Sequence, residues 1–394
     1  MIRKFCHLCL VLVGSLLGLV VLIVCSLPLL ARLGFFRWYA ENVSHFFIGF
    51  APAFHYGVEW GFTMEEEIFQ SSSSSDLPLL GQRAIVTGAN SGIGYEIALV
   101  LARFGANVTL ACRNPIKCQQ AAERMRADET VRGSIFTKTL DTSSLTSVQT
   151  FAKEYIRDNP SLDILMLNAG TSFPNRSTIR NDGVVPLSED GIEIVFATNY
   201  VGHHLLYRSL EPLLQRSKMA RVVQTSSAAS FLATDVATDL KTLNTCDPRN
   251  NKFNPKVAYR QSKLAQILWT KALTRRLSED SNIYVNTFHP GLVDTNIWDK
   301  QLIGSDSPTS VVMLVNWLRR HHVMWTSSEG ALTGVFLAVA QDRLRQDNIR
   351  GRYYHPQTQR VTIPMADDVA LQDRLWTFTE ELVENFLPQQ ELSS

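Results

Sequence analysis

The 394-residue chain is predicted to be an α/β protein: a doubly wound parallel sheet, with an N-terminal transmembrane anchor. Three observations predict it. At Ala84–Phe104 a short apolar run meets three glycines and then apolar side chains at helical spacing. Further short apolar runs alternate with helical segments downstream, the order that gives a parallel sheet covered on both faces. At the start of the chain, Leu8 through Ala31 contains no charged side chain.

Composition narrows the function. Charged residues make up 19%, hydrophobic ones 45%, and the net charge is only +1, so neither a nucleic-acid partner nor a disordered acidic tail is expected. Of six cysteines, Cys6, Cys9 and Cys25 lie in the apolar N-terminus, while Cys112, Cys118 and Cys246 lack the spacing of a disulfide framework. Cys112 and Cys118 also lack metal-ligand spacing and a histidine pair, so no metal is expected.

Taken in order, residues 1–34 read as an anchor. Leu8–Ala31 exceeds the roughly 20 residues that cross a bilayer, whereas the apolar core of a signal peptide, the rival reading, is about 7–15 residues. Residues 35–76 are an aromatic segment and linker. Trp38, Tyr39, Phe46, Phe47, Phe50, Phe54, Tyr56 and Trp60 suit a membrane interface or, equally, a collar packed on the following domain. Ser71–Ser75 is a polar linker. Residues 77–394 form the α/β domain.

That domain opens with a strand at Ala84–Val86, the glycines Gly88, Gly92 and Gly94, and a helix over Tyr95–Phe104. Glycines at such a turn let the backbone approach a pyrophosphate, and the helix N-terminus offers it free N–H groups. The spacing, Thr-Gly-x-x-x-Gly-x-Gly, resembles that of the short-chain dehydrogenase/reductase family, which has a Rossmann fold. Asn90, Ser91 and Ile93 belong to the same cofactor turn. A second strand, Asn107–Ala111, ends in Cys112-Arg113-Asn114. NAD enzymes tend to carry an acidic residue here for the ribose hydroxyl. Arg113 instead suits a 2′-phosphate, so NADP is expected, with NAD as the alternative; the bland reading is a solvated arginine.

A helix over Ile116–Asp128 leads to a third strand, Phe136–Leu140, and to Asp141. The resemblance implies that Asp141 meets the adenine; it could also cap the helix Ser144–Tyr155. Leu162–Leu167 is the fourth strand, and Asn168-Ala169-Gly170 after it looks like the family signature that holds the sheet together beneath the cofactor. Gly191–Tyr207 reads as one helix with Asn199 near its middle, a mediocre interior helix residue. By resemblance Asn199 bends that helix and holds a water for proton relay. His203 and His204 read as satisfied helix residues.

Arg221–Ser227 is the fifth strand, and alignment on its start selects Ser227 over Ser226 for the reacting centre. Ala228–Val257 is a long excursion suited to a cavity mouth. The helix Ala258–Leu277 carries Tyr259, Ser262 and Lys263. Of ten tyrosines only Tyr259 has a lysine four residues on. That spacing puts both on one helical face, where an ammonium can pull a phenol below its reference pKa of about 10. Tyr284–Phe288 is the sixth strand; by resemblance His289-Pro290-Gly291, Val293 and Thr295 then close over the nicotinamide. Val311–Leu318 sits where the family has a substrate lid. Glu329–Ala340, a strand near Gly351–Tyr354 and an amphipathic helix at Leu371–Phe386 finish the chain.

The ordered set resembles the retinol-dehydrogenase and WW-domain-oxidoreductase branch, with no WW domain visible. It implies reversible hydride transfer on an apolar alcohol or carbonyl compound, with Asn199, Ser227, Tyr259 and Lys263 as the catalytic group. Gly88, Asn90, Ser91, Gly92, Ile93, Gly94, Arg113, Asp141, Asn168, Tyr259, Lys263, Val293 and Thr295 would hold the cofactor. A catalytically weak cofactor-binding scaffold is the alternative. Expected partners are a hydrophobic small molecule and a membrane, that of the endoplasmic reticulum, with a single span; a homodimer stays open. Unpaired cysteines favour a cytosolic catalytic domain.

Overall fold

The computed structural model describes residues 77–172, 185–245, 253–295, 313, 316, 317, 319, 324–356, 360, 361 and 363–387. The expected span and aromatic segment lie outside them, as do most of Val311–Leu318 and two N-glycosylation acceptor sequences, Asn42-Val43-Ser44 and Asn175-Arg176-Ser177. Among the described residues, no helix is long and apolar enough to cross a membrane.

Eight strands form one sheet in the order β3-β2-β1-β4-β5-β6-β7-β8. They are β1 (Arg83–Thr87), β2 (Asn107–Cys112), β3 (Ile135–Thr139), β4 (Ile164–Leu167), β5 (Ala220–Thr225), β6 (Ile283–Phe288), β7 (Tyr353–Tyr354) and β8 (Arg360–Val361). All neighbouring pairs are parallel except β7 with β8, which is antiparallel. That eighth strand is an addition to the expected sheet; a two-residue strand leaves no periodicity to read.

Strand side chains alternate between the two faces. Ala84 and Val86 join one buried cluster, with α1 (Gly92–Arg103) and α2 (Pro115–Arg126). Ile85 joins the other, with α3 (Leu145–Asp158), α4 (Gly202–Gln215) and α5 (Pro255–Arg276). Near the C-terminus, α6 (Ser327–Val339) packs against α1, and α7 (Val369–Val383) against α5. Strands apolar on both faces are what a sheet covered on both sides requires.

Two expectations need correction. Gly191–Tyr207 is not one regular helix. Gly191 has φ +74°, the chain turns helical at Ile194–Phe196, widens into a π-helical stretch at Ala197–Val201, and only then continues as α4. Single π turns recur at functional sites, and Asn199 lies inside this one. Asp141 does not cap α3: Ser144 does, accepting from the Ser147 N–H. Asp141 Oδ1 accepts from the backbone and hydroxyl of Ser143 instead, and the Leu145 N–H goes to Asp190.

Candidate active site

The strand order reverses at β1 and β4, and ligands of open α/β sheets bind at the carboxyl ends of strands at that point. β1 ends in the glycine turn. Gly88 and Gly92 have φ +69° and +60°, conformations that glycine adopts without strain. Gly94 is held by space instead: a Cβ there would lie 2.4 Å from Asn168 Nδ2 and 2.7 Å from the Gly88 carbonyl oxygen. Ser91 is the N-cap of α1, yet its side chain makes no capping bond and the first turn holds no acidic residue. The first-turn N–H groups are therefore left to whatever approaches the turn. Thr295 reaches the same place, 3.5 Å from where a Gly92 Cβ would stand. Val293 is set back, buried in a bridge with Trp325.

Behind the turn, Thr87 and Asn168 tie three strands together. Thr87 Oγ1 accepts from the Asn168 and Ala169 N–H groups at 2.9 and 2.8 Å. Asn168 Nδ2 donates to the Thr87 carbonyl, and Thr225 Oγ1 donates to Asn168 Oδ1. Beside them Gly170 keeps a gap clear, because a Cβ would come within 3.2 Å of Asn199 Oδ1 and 3.7 Å of Lys263 Nζ.

Tyr259 and Lys263 share one face of α5, with Lys263 Nζ 5.6 Å from the Tyr259 ring centroid. The Tyr259 hydroxyl is hydrogen-bonded with Ser227. Ser226 faces away: its hydroxyl donates to the Lys263 carbonyl at 2.7 Å. The hydroxyl that reaches the tyrosine is thus that of Ser227. Its own carbonyl accepts from Tyr353 and Ser230.

The expected effect of Lys263 on the phenol is not found. Burial raises the Tyr259 pKa above its usual 10, with only the Ser227 contact pulling it down. Burial also drives Lys263 down to about 7, and its Nζ donates to the Thr225 carbonyl at 2.9 Å. Desolvation penalises any charge in this pocket and outweighs the benefit that one charge gives the other.

Asn199 is fully buried. Its side chain accepts from the Thr171 N–H and donates to the Thr171 carbonyl and to Ser262 Oγ. Its own carbonyl is engaged by Gln266 Nε2 at 2.8 Å and by His203 Nδ1 at 3.0 Å. His203 Nε2 contacts Thr87 Oγ1 at 3.1 Å, linking the π-helical stretch to the glycine turn. Burial lowers its pKa to about 3, so the ring is neutral. His204 is also occupied, by Trp269 and Glu380.

Sequence reasoning missed Thr171, Gln266 and Tyr353. Gln266 had a signal, since it is seven residues after Tyr259 on the same helical face. Tyr353 had none, because its partner Ser227 is 126 positions away. At the far end of the site, Arg113 Nε lies 3.9 Å from Asp141 Oδ2, with the arginine side chain 73% exposed. So loose and wet a pair contributes little to stability, and both groups face solvent beside the ends of β2 and β3.

The short chain dehydrogenase family model matches residues 82–238. Retinol dehydrogenase 13 of Homo sapiens is 34% identical over 322 residues, covering 81% of this chain and 90% of the relative. Retinol dehydrogenase 14 of Mus musculus is 33% identical over 313 residues, 77% and 86% of the two chains. Short-chain dehydrogenase TIC 32 A of Brassica napus is 34% identical, with 77% and 88% covered. Among solved structures, an uncharacterized protein from Mycobacterium paratuberculosis superposes with TM-score 0.55 at 27% identity, covering 78% of this chain and 96% of its own.

Proposed function

Because the chain belongs to the short-chain dehydrogenase family, on its retinol-dehydrogenase-like branch, and is thus an NAD(P)-dependent dehydrogenase acting on CH–OH groups, we propose a more specific reading. It is a membrane-anchored, NADP-dependent enzyme that interconverts a hydrophobic alcohol and its aldehyde or ketone. The carrying observation is Tyr259, bonded to Ser227 and followed one turn later by a buried Lys263.

The cofactor end fits a dinucleotide. Gly94 and Gly170 keep space that a single methyl would fill, and the first turn of α1 lacks a side-chain cap. The turn Gly88–Gly94 would hold the pyrophosphate, Asp141 the adenine and Arg113 the 2′-phosphate. Asn168, Lys263, Val293 and Thr295 would line the nicotinamide end. When bound, the nicotinamide supplies or accepts the hydride. NADP is also bound in the solved structures of a gluconate 5-dehydrogenase and of a Shigella flexneri dehydrogenase, each under 25% identical and therefore alike in fold.

The chain's own groups do the rest. Ser227 donates a hydrogen bond to the substrate oxygen, where negative charge develops on reduction. Tyr259 gives that oxygen its proton and takes it back in the oxidative direction. Burial keeps the phenol protonated at neutral pH, which suits it as an acid in carbonyl reduction. Lys263 stands behind the phenol, and Asn199 fixes the Thr171 backbone and Ser262 around it.

The substrate classes in view are retinoids, polyprenoids, steroids and fatty aldehydes. Detergent-solubilised enzyme should consume NADPH with at least one of them; no turnover across all four would overturn the reading. We place residues 1–34 as the anchor, 35–76 as interfacial segment and linker, and 77–394 as the catalytic domain on the cytosolic face of the endoplasmic reticulum. Deleting residues 1–34 should leave partial membrane association, and deleting 1–70 should release the protein. A glycan on Asn175 would put the domain in the lumen instead.

A further inference from the structure

Cys112 ends β2 and Cys118 lies in the first turn of α2, so the two bracket the Arg113–Asn114 loop. Both side chains are buried, and their Sγ atoms are 2.6 Å apart. A disulfide bond is about 2.03–2.05 Å long, so closing one needs about 0.6 Å of movement. The surroundings tie the pair to the cofactor end. The Cys112 sulfur meets the backbone N–H groups of Ala89 and Asn90 in the glycine turn. The Cys118 sulfur meets the Lys138 N–H on β3 and the Leu110 carbonyl on β2. The proposed alcohol chemistry uses neither thiol.

We infer that Cys112 and Cys118 form a dithiol modification site, which a small hydroperoxide converts to a disulfide that weakens dinucleotide binding. The second half rests on the NADP reading above; the first does not. The Cys118 thiol donates to the Cys112 sulfur and to the Leu110 carbonyl, which sets the two sulfurs in line for bond formation. Either sulfur serves as the first attacker, since the thiolate is the nucleophile. That thiolate attacks the terminal peroxide oxygen, the O–O bond breaks and an alcohol leaves, giving a sulfenic acid. The other sulfur then attacks the oxidised one, the S–O bond breaks, and water leaves with the second thiol's proton. In sum, two thiols lose two electrons and two protons, and one hydroperoxide becomes an alcohol and a water. Burial excludes bulky disulfide reagents, which selects a small peroxide as oxidant.

The bond draws the Cys112 sulfur away from Ala89 and Asn90 and staples the loop that carries Arg113. The test uses full-length protein in detergent, treated with tert-butyl hydroperoxide, then alkylated and digested for mass spectrometry. A Cys112–Cys118 cross-link lighter by two hydrogens is expected, absent in Cys118→Ser and reversed by dithiothreitol. NADPH affinity, read by fluorescence titration, should fall about fivefold, the worth of one ordinary hydrogen bond, and Cys118→Ser should keep its affinity with or without peroxide. Separately oxidised thiols, or cross-links from either residue to another cysteine, overturn the site. A cross-link with unchanged NADPH affinity overturns its coupling to the cofactor. Failure of the NADP reading shows earlier, as reduced protein that binds no NADPH, while the mass measurement still reports on the thiols.

Discussion

The glycine turn follows β1 and the reacting centre follows β5, with β4 between them, yet they are built by opposite means. The turn is defined by what is absent: at Gly94 a single added carbon would meet Asn168 and the Gly88 carbonyl. The reacting centre is defined by what is present, a set of polar atoms buried together and joined across distant segments. Ser227 connects with Tyr353, Asn199 with Thr171 and Gln266, and Lys263 with Thr225. The first region should therefore be most sensitive to added atoms, and the second to removed ones.

Removing one oxygen at the reacting centre gives the largest expected effect. Tyr259→Phe should keep the fold and NADPH affinity while kcat falls about 10²–10⁴-fold, the usual worth of a general acid. Circular dichroism and fluorescence titration check the first part, and steady-state rates the second. A variant with near-parental kcat would move the acid elsewhere and break the comparison.

Adding one carbon at the turn comes next. Gly94→Ala should destabilise the protein by about 1–3 kcal/mol, the typical result of overpacking, and weaken NADPH binding. Thermal unfolding gives the first quantity. Gly191→Ala sharpens the contrast: its backbone, unlike that of Gly94, is left-handed, and nothing lies within 4 Å of the new Cβ. Only backbone strain should register there, and NADPH binding should stay unchanged.

The same contrast explains what could be read from residues alone. Steric rules act on residue type, so Gly88, Gly92 and Gly94 announced the turn, and short runs of three to seven residues announced β1 to β6, most plainly the apolar run of β4. Tyr259 and Lys263 were legible because both lie on one helix. The bend at Asn199 is implied by the family resemblance, with propensity marking only an unusual residue, and neither shows that its carbonyl is engaged by Gln266 and His203. Nor was it evident that Ser144 and Asp190, not Asp141, would satisfy the start of α3. Those choices depend on which groups the folded chain brings within 3 Å, and no local pattern records that. The direction of the Tyr259 pKa was missed for the same reason: spacing shows that a lysine is near, while burial decides what it can do.

A third region, the exposed Arg113 beside Asp141, belongs to neither type and should respond to charge. Arg113→Asp removes the partner of a 2′-phosphate and offers a ribose acceptor. The ratio of kcat/KM for NADPH over NADH should fall about tenfold or more, the scale of one charge-assisted hydrogen bond. An unmoved ratio would make Arg113 a solvated bystander.

The smallest effect tests burial itself, and its sign is fixed by where Lys263 titrates. In the folded protein burial holds this ammonium near 7, against an ordinary lysine value of 10.5. Between those values the unfolded chain binds a proton that the folded one does not, so stability rises with pH across that window. Below pH 7 both states are protonated, and the cost of burying the charge is fully present. Tyr259 does not oppose this trend there, because its raised pKa confines its own contribution to pH above 10. Melting temperatures measured from pH 6.5 to 9.5, a range chosen to span the lysine window, should therefore climb in the parent. Lys263→Met removes the titrating group while keeping much of the stem's volume, so its curve should be flatter over the same range. Parallel curves would mean that Lys263 keeps its charge in the folded state, paired more strongly than one Thr225 carbonyl allows.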